Sequence, residues 1–536
     1  MTYEMTRKSF LKTVAGAAYG GNLLLGAMSV EDCIADVADM GSGGIIFEKE
    51  EMKMPYFSKP VKGKLPPAGM PVLGDIGVRP GNIIMPTFFE KYNREITPYH
   101  REFRNNECSV EVANGRAYRR PEYAAEISGE ITDTEARNVN YHTKTPELGG
   151  FLVRGISRYL ISNSKFIAIG NGRNDYTGNG ALAMADENAQ LTIRNCDFET
   201  TGCIRPCTAA GLNAMLKVYE SRLKTNGGDW PEGYKETGSG YREGNLGRQR
   251  GKDDDFTGTG GNSRPHMSLN SSKSYFYDCE VVSDGWAALS TDAVSDNLYL
   301  EANRCKFNVL HSGYATWSDT GARVVFNDCV INCFSLICTV TGEASVDLNG
   351  CRSRSGKYGC NMGTNANDAH CCLGDLRVRG GVFSASREAV RIFSQNAHIE
   401  FDGVDLNCDS GMLIHSMLAP NPRSSKVEEG EEVYGIKVVL KDMSLSGNII
   451  HDDPHRTMSV SFINSSIRGK IRDAYVSLDK GSRWFASEDS SVGLVGGIKA
   501  EQINAPAGVT ITAVPAGGCP LSGEYTLTSG GKLIVG

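Results

Sequence analysis

The residues best suited to chemistry fall in two similar phrases, "GWAALSTDA" from Gly285 and "GYATWSDTG" from Gly313. The pair supplies Trp286, Asp292, Tyr314 and Asp319, and His311 stands two residues before the second phrase. An aromatic side chain stacks on a ring, a histidine or tyrosine moves a proton, and an arginine holds developing negative charge. Two aspartates near each other make, instead, a hydrolytic acid pair. An earlier phrase in the same register, "GCIRPCT", adds Arg205. Strict alternation assigns directions. It turns Ile204, Ala287, Leu289, Ala315 and Trp317 inward. It turns Arg205, Trp286, Ser290, Tyr314 and Ser318 outward, so that Trp286 and Tyr314 stack as neighbours. Tyr358, Arg391 and His415 extend the same face in later phrases.

Elements that repeat must position these groups. "LTIRNCDF", "SYFYDCEV", "LEANRCKF", "VVFNDCVI" and "SVDLNGCRS" each write an alternating β phrase, a small polar residue and then a cysteine or its equivalent. Aligned on that last position, the series runs Ser164, Cys196, Ser221, Cys279, Cys305, Cys329, Cys351, Gly381, Val404, Met443, Ser465. Its cleanest spacings are a little over twenty residues, the signature of a solenoid. Leucine-rich repeats share the period, but their leucine pattern is absent, and no amphipathic helix fits between the phrases. Stacked coils would make the cysteines a packing ladder, with Asn195, Asp278, Asp328 and Gly350 in the turn before it. Cys329→Ser is then expected to destabilise the stack by burying a more polar group.

This recurring coil resembles the right-handed parallel β-helix proteins of the pectate-lyase-like superfamily, over residues 145 to 490. The resemblance implies an all-β, single-stranded right-handed parallel β-helix. It also implies lyase or epimerase chemistry, in which a base removes the proton alpha to the carboxylate of an acidic sugar. Arg205 would then neutralise the carboxylate, His311 or Tyr314 would move the proton, and Trp286 would stack on the sugar. On this reading Arg205→Ala abolishes activity and leaves the fold intact. Two other functions stay open: proton transfer on a small organic molecule by an isomerase or dehydratase, and noncatalytic binding at a surface.

Between Ser221 and Cys279 the spacing is more than twice the period. The excess, placed at 228–270, carries Trp230 and Tyr241 and is expected to lie over the aromatic face. Its triplet Asp253–Asp255 invites a calcium reading, although three adjacent acids do not supply the six to eight fixed oxygens that calcium takes. No cofactor is expected otherwise. His142, His266 and His415 are alternatives to His311. "GNGRNDYTGNG" lacks the GK[ST] of a phosphate loop, and no G-x-S-x-G elbow or dinucleotide fingerprint occurs.

The totals agree with this. The chain has 536 residues, 62 of them glycine, and a net charge of −7. That balance gives no reason to expect nucleic acid as a partner, and no run is long and apolar enough to span a membrane. Residues 1–35 resemble a twin-arginine export signal, with Arg7 followed by Lys8 where a second arginine would stand. Export to the periplasm or cell surface is expected, with a saccharide or small molecule as partner. The 16 cysteines are read as small buried hydrophobes rather than disulfides or metal ligands. Residues 36–145 are expected to be an irregular N-terminal region and cap, 146–490 the β-helix, and 491–536 terminal coils or a β cap.

Overall fold

The computed structural model describes residues 107–120, 123, 125–173, 178–235, 246–250, 260–292, 298–363, 373–420, 425 and 435–536. It also describes two short strands, Pro55–Tyr56 and Gly74–Asp75, paired antiparallel. From Cys108 onward the chain is an all-β parallel solenoid. Each coil lays down three strands, and each strand pairs in parallel with its equivalent in the next coil. Sheet A contains Trp286–Asp292, Gly313–Ser318, Leu336–Thr341 and Tyr358–Gly363 in succession. Sheet B contains Leu298–Asn303, Ala322–Asn327 and Ser345–Asn349. Sheet C contains Lys306–Val309, Val330–Cys333 and Arg352–Ser355.

Alternating apolar positions fill the space between the sheets, and in-register stacking sets like on like. Phe166 stacks in register on Phe198 at 4.7 Å, while Phe307 of sheet C meets Phe326 of sheet B across the core at 4.8 Å. Antiparallel strands close both ends of the stack. Glu126–Ile131 pairs with Glu135–Thr143 at one end, and Gly523–Thr526 with Lys532–Val535 at the other. Sheet C's strand Arg222–Thr225 ends before the long excursion, and sheet A resumes at His266–Leu269.

The turn from sheet B to sheet C explains the repeated phrase. The residue before each rung is left-handed: Asn195 has φ 51°, Asp278 55°, Arg304 52°, Asp328 52° and Gly350 61°. Asn, Asp and Gly tolerate that conformation best. The rung residue then turns inward beside the backbone of the coil before it. Ser221 Oγ accepts the Cys196 N–H at 3.0 Å and donates to Tyr219 O at 2.6 Å. Ser465 Oγ accepts the Met443 N–H at 3.1 Å and donates to Ile463 O at 2.8 Å. Cys305 makes the same pair of contacts, to the Cys279 N–H at 3.4 Å and Asn303 O at 3.3 Å.

The rung is therefore a hydrogen-bonding position that serine already occupies, and the expectation for Cys329 is revised. Cys329 Sγ faces Ala302 O at 3.4 Å and Asn327 O at 3.3 Å, so a serine hydroxyl there finds an acceptor. Cys329→Ser is expected to change the unfolding free energy by no more than about 1 kcal/mol, as read from a urea or guanidinium midpoint. A loss several times larger would show that the rung requires sulfur.

Candidate functional site

Strict alternation fails on sheet A because each coil turns a corner there. Two consecutive residues face the core in each coil: Ala288 with Leu289, Ile337 with Cys338, and Ala389 with Val390. The coils are also one residue out of the expected alignment, since Trp286 pairs with Gly313 and Ala287 with Tyr314. Several directions change as a result. Trp286 and Tyr314 are not rungs of one column. Leu289 and Ala315 do face the core. Ala287 instead joins Tyr314, Leu336 and Tyr358 in a second apolar cluster outside it, with Trp286 and Trp317 packed alongside. Trp317 lies on the outer face, in the column of Ser290, Thr339, Asn361, Arg391 and His415. Ser318 shares the inward column of Val340, Met362 and Ile392. Tyr314 is on the predicted side of the sheet but fully buried, its ring 5.4 Å from Trp317.

Arg205 is not on a surface. It is buried, and Nη1 donates to Thr145 O, Ile169 O and Gly170 O at 3.0–3.2 Å while Nη2 donates to Leu148 O. The preceding residue, Ile204, is left-handed with φ 50°, and that turn swings the arginine under the backbone. Arg205 is a clamp between coils and is removed from the substrate role.

Asp292 is removed from the acid pair. Arg264 binds its carboxylate through both terminal nitrogens, at 2.7 and 3.4 Å, and both residues are buried. Burial pushes the Asp292 carboxyl up, and Arg264 opposes that shift. The same guanidinium lies 5.0 Å over the Trp286 ring. Asp319 sits on the following turn, its N–H on Thr291 Oγ1 at 3.0 Å.

His311 has a different setting. Its Nδ1 lies 3.0 Å from Asp284 Oδ1. Arg250 grips the same carboxylate through Nε at 2.9 Å and Nη2 at 3.1 Å. The Asp284 side chain is 9% exposed and the imidazole 57%. A carboxylate on Nδ1–H leaves the Nε2 lone pair facing outward, which is the orientation of a general base. Backbone pairing holds the geometry: the His311 N–H donates to Asp284 O at 3.0 Å, and the Asp284 N–H to Thr225 O at 3.0 Å.

Parts of the excursion complete this corner. Asn262 donates to Gly228 O at 2.9 Å and Arg248 O at 3.2 Å and accepts the Gly228 N–H at 3.0 Å, so it ties three segments together. Trp230 packs edge-on to Tyr234 at 5.0 Å, and Tyr234 Oη accepts the Leu246 N–H. Gly247 sits against Ile204 and Trp286 so closely that a Cβ there would lie 2.4 Å from the Trp286 ring. Trp286 itself has φ 96°, a conformation a bulky residue adopts only when its surroundings impose it. Tyr241 and Asp253–Asp255 lie outside the described residues.

Farther along sheet A, Arg391 lies 3.2 Å from the Tyr358 ring centroid and donates from Nε to Asn361 at 2.9 Å. Burial draws Arg391 down to about 10. His415 is held between Glu388 at 2.9 Å and Asp452 at 3.2 Å, and Arg472 also pairs with Asp452. Burial alone would lower His415, but the two carboxylates raise it. With both nitrogens engaged it has no lone pair to offer. His142 lies 3.7 Å from Glu126, and His266 is buried.

The structure therefore gathers Trp286, Tyr314, Tyr358 and Arg391 on one face, with His311 at its corner, and excludes Arg205. Sequence reasoning missed Asp284, Arg250, Arg264, Glu388 and Asp452. Only Asp284 had a usable signal, because it directly precedes Gly285 as His311 nearly precedes Gly313. Among the described residues, no group of three or more His, Cys, Asp or Glu is placed to hold a metal. No helix among them is long and apolar enough to cross a membrane. The site and fold define a parallel β-helix with a histidine–carboxylate corner beside an aromatic sheet face. The chain matches no family model, no curated protein and no solved structure.

Proposed function

We propose that this chain is an exported, carbohydrate-active β-helix enzyme that abstracts a proton from an acidic sugar, as a lyase or epimerase. One observation carries the reading: His311 is oriented through Nδ1 by the buried Asp284, with its other face open and Arg250 on the same carboxylate. His311 Nε2 takes the proton alpha to the sugar carboxylate. The C–H electron pair moves into an enolate-type anion. That anion either expels the β-oxygen, which takes a proton from solvent and leaves an unsaturated sugar, or itself regains a proton from solvent on its opposite face. Arg250, 44% exposed and paired with the same Asp284 carboxylate, supplies positive charge beside the developing anion. Trp286, two residues from Asp284, supplies an aromatic surface. The resemblance to pectate-lyase-like proteins supports the saccharide class, and the twin-arginine-like start supports export.

A binding-only role is favoured by the internal pairing of the other charges, Asp292 with Arg264, Glu388 with His415 and Asp452 with Arg472. Turnover separates the two. Uronic-acid oligosaccharides are expected to yield ultraviolet absorbance from an unsaturated product, or solvent-hydrogen exchange at the abstracted position. Proton transfer by a positioned side chain contributes about 10²–10⁴-fold, so His311→Asn should lower turnover by that factor. Asp284→Asn should do so more mildly, with melting temperature little changed in both. Binding without turnover establishes the noncatalytic role. Turnover undiminished in His311→Asn removes His311 as the base, and turnover only of small organic acids moves the substrate to that class.

A further inference from the structure

The outer face of sheet C changes character along the stack. In the earlier coils its cations are neutralised: Arg222 pairs with Asp197 at 2.8 Å and Glu280 at 3.8 Å, and Lys224 with Glu199 at 2.8 Å. In the following coils the same columns carry Lys306, Arg352 and Arg354, all exposed. Among the described residues none of these three forms an ion pair, and the carboxylate next to them in register is Glu280, beside Lys306. The turn into sheet A adds Lys357 and Arg387, consecutive in the stack through the Arg387 N–H to Lys357 O. Among the described residues the carboxylates around it are Glu280 and Asp284 on the coil before, Asp328 on the flanking turn, Glu388 beside Arg387, and Asp405 and Asp409 after.

Exposed apolar side chains lie within this cationic field. Phe334 is 46% exposed, Leu310 48% and Val330 38%. Leu310, Phe334 and Gly356 follow one another on successive coils, each donating its N–H to the coil before. Gly356 has no side chain to cover the Phe334 ring, and Lys357 Nζ stands 5.8 Å from it. Apolar side chains of this size are ordinarily left exposed singly, not grouped.

We propose that this strip docks the protein onto an anionic lipid surface, with Phe334, Leu310 and Val330 entering the headgroup boundary and Lys306, Arg352 and Arg354 meeting lipid phosphates. Charge complementarity argues for it: a chain of net charge −7 sets Lys306, Arg352 and Arg354 on one exposed face. The apolar members argue for lipid over a soluble polyanion, because two of the three are aliphatic and offer no stacking surface to a sugar or a base. Basic residues near an anionic leaflet each add a comparable increment of affinity, and buried apolar area adds to it.

Co-sedimentation of the full-length protein with vesicles tests this. Binding is expected to phosphatidylcholine vesicles containing phosphatidylglycerol, with little to phosphatidylcholine alone, and it should weaken as salt rises. At about 1 kcal/mol per basic residue, Arg352→Ala with Arg354→Ala should bind about 30-fold more weakly. Phe334→Ser should weaken vesicle binding and leave binding to soluble dextran sulfate unchanged. All three side chains are exposed, so thermal melts should match the unsubstituted protein. No binding to anionic vesicles overturns the proposal, as does equal binding to neutral ones. Loss of binding in the arginine variant with none in Phe334→Ser assigns the strip to a soluble polyanion instead. None of these outcomes depends on turnover at His311.

Discussion

Arg205→Ala is expected to destabilise the protein by about 3–5 kcal/mol, measured by denaturant unfolding. The arginine is fully buried and its guanidinium satisfies four carbonyls, those of Thr145, Leu148, Ile169 and Gly170. Those oxygens belong to two different chain segments, so a single side chain ties both to the start of sheet A's strand Thr208–Ala210. Truncation leaves the carbonyls in a cavity without donors, and each buried unsatisfied group costs about 1–3 kcal/mol. Partial relaxation and water entry keep the total below the simple sum. Burial draws Arg205 down to about 10, so the group is still charged at neutral pH and its hydrogen bonds are charge-assisted. Arg205→Lys should recover part of the loss, because an ammonium carries charge but cannot reach four acceptors. A variant as stable as the parent yet inactive would restore the surface role that alternation suggested.

Stability is also expected to fall as pH is lowered through the range from about 6.5 to about 3, with His266 a principal cause. His266 is completely buried, with Nδ1 at 2.9 Å from Thr208 Oγ1 and Nε2 at 2.8 and 3.0 Å from Ser268 and Ser274 Oγ. Neutral hydroxyls satisfy a neutral ring, and burial draws its pKa from 6.5 to about 3. The depressed value sets the sign. Below about 6.5 the unfolded chain takes up a proton that the folded one refuses, so the unfolded state gains. The contribution is fully present above 6.5 and is lost at up to about 1.4 kcal/mol per pH unit on the way down, about 5 kcal/mol in total. His451 is lowered by burial as well and acts in the same direction. His415 acts oppositely: its raised value adds stability at low pH that is lost as pH rises through its folded pKa. His266→Gln should flatten the acid limb between pH 6.5 and 4.5, after allowing for its own constant cost. An unchanged limb would mean that the ring is protonated or solvated in the folded state.

The solenoid itself was legible because its determinants are local. A left-handed turn residue followed by a small inward side chain recurs at Asn195–Cys196, Asp278–Cys279 and Asp328–Cys329, and backbone sterics write that requirement into a few consecutive residues. The second observed fact, that serine substitutes for cysteine on the rung, was visible in Ser164, Ser221 and Ser465. It was misjudged because hydrogen-bond partners on the neighbouring coil cannot be read from one phrase.

The site was legible only in part. His311 stood out by its place before Gly313, and Trp286, Tyr314, Tyr358 and Arg391 were assigned to one face. Their burial, and the removal of Arg205 and Asp292, depended on partners far away in the chain: Arg264 for Asp292, Arg250 for Asp284, Asp452 for His415.

The sequence by itself determined the parallel β-helix, the rung and the turn before it, because steric preference and period-two hydrophobicity act over a few residues and every coil repeats them. Only the tertiary structure decided which way sheet A's side chains face and which charges remain open. A corner with two successive inward residues breaks the alternation, and a one-residue slip between coils moves a side chain from one column to another. Whether a charged group is base, clamp or surface contact then depends on which coil or excursion is packed against it, and stacking brings those partners together irrespective of their distance along the chain.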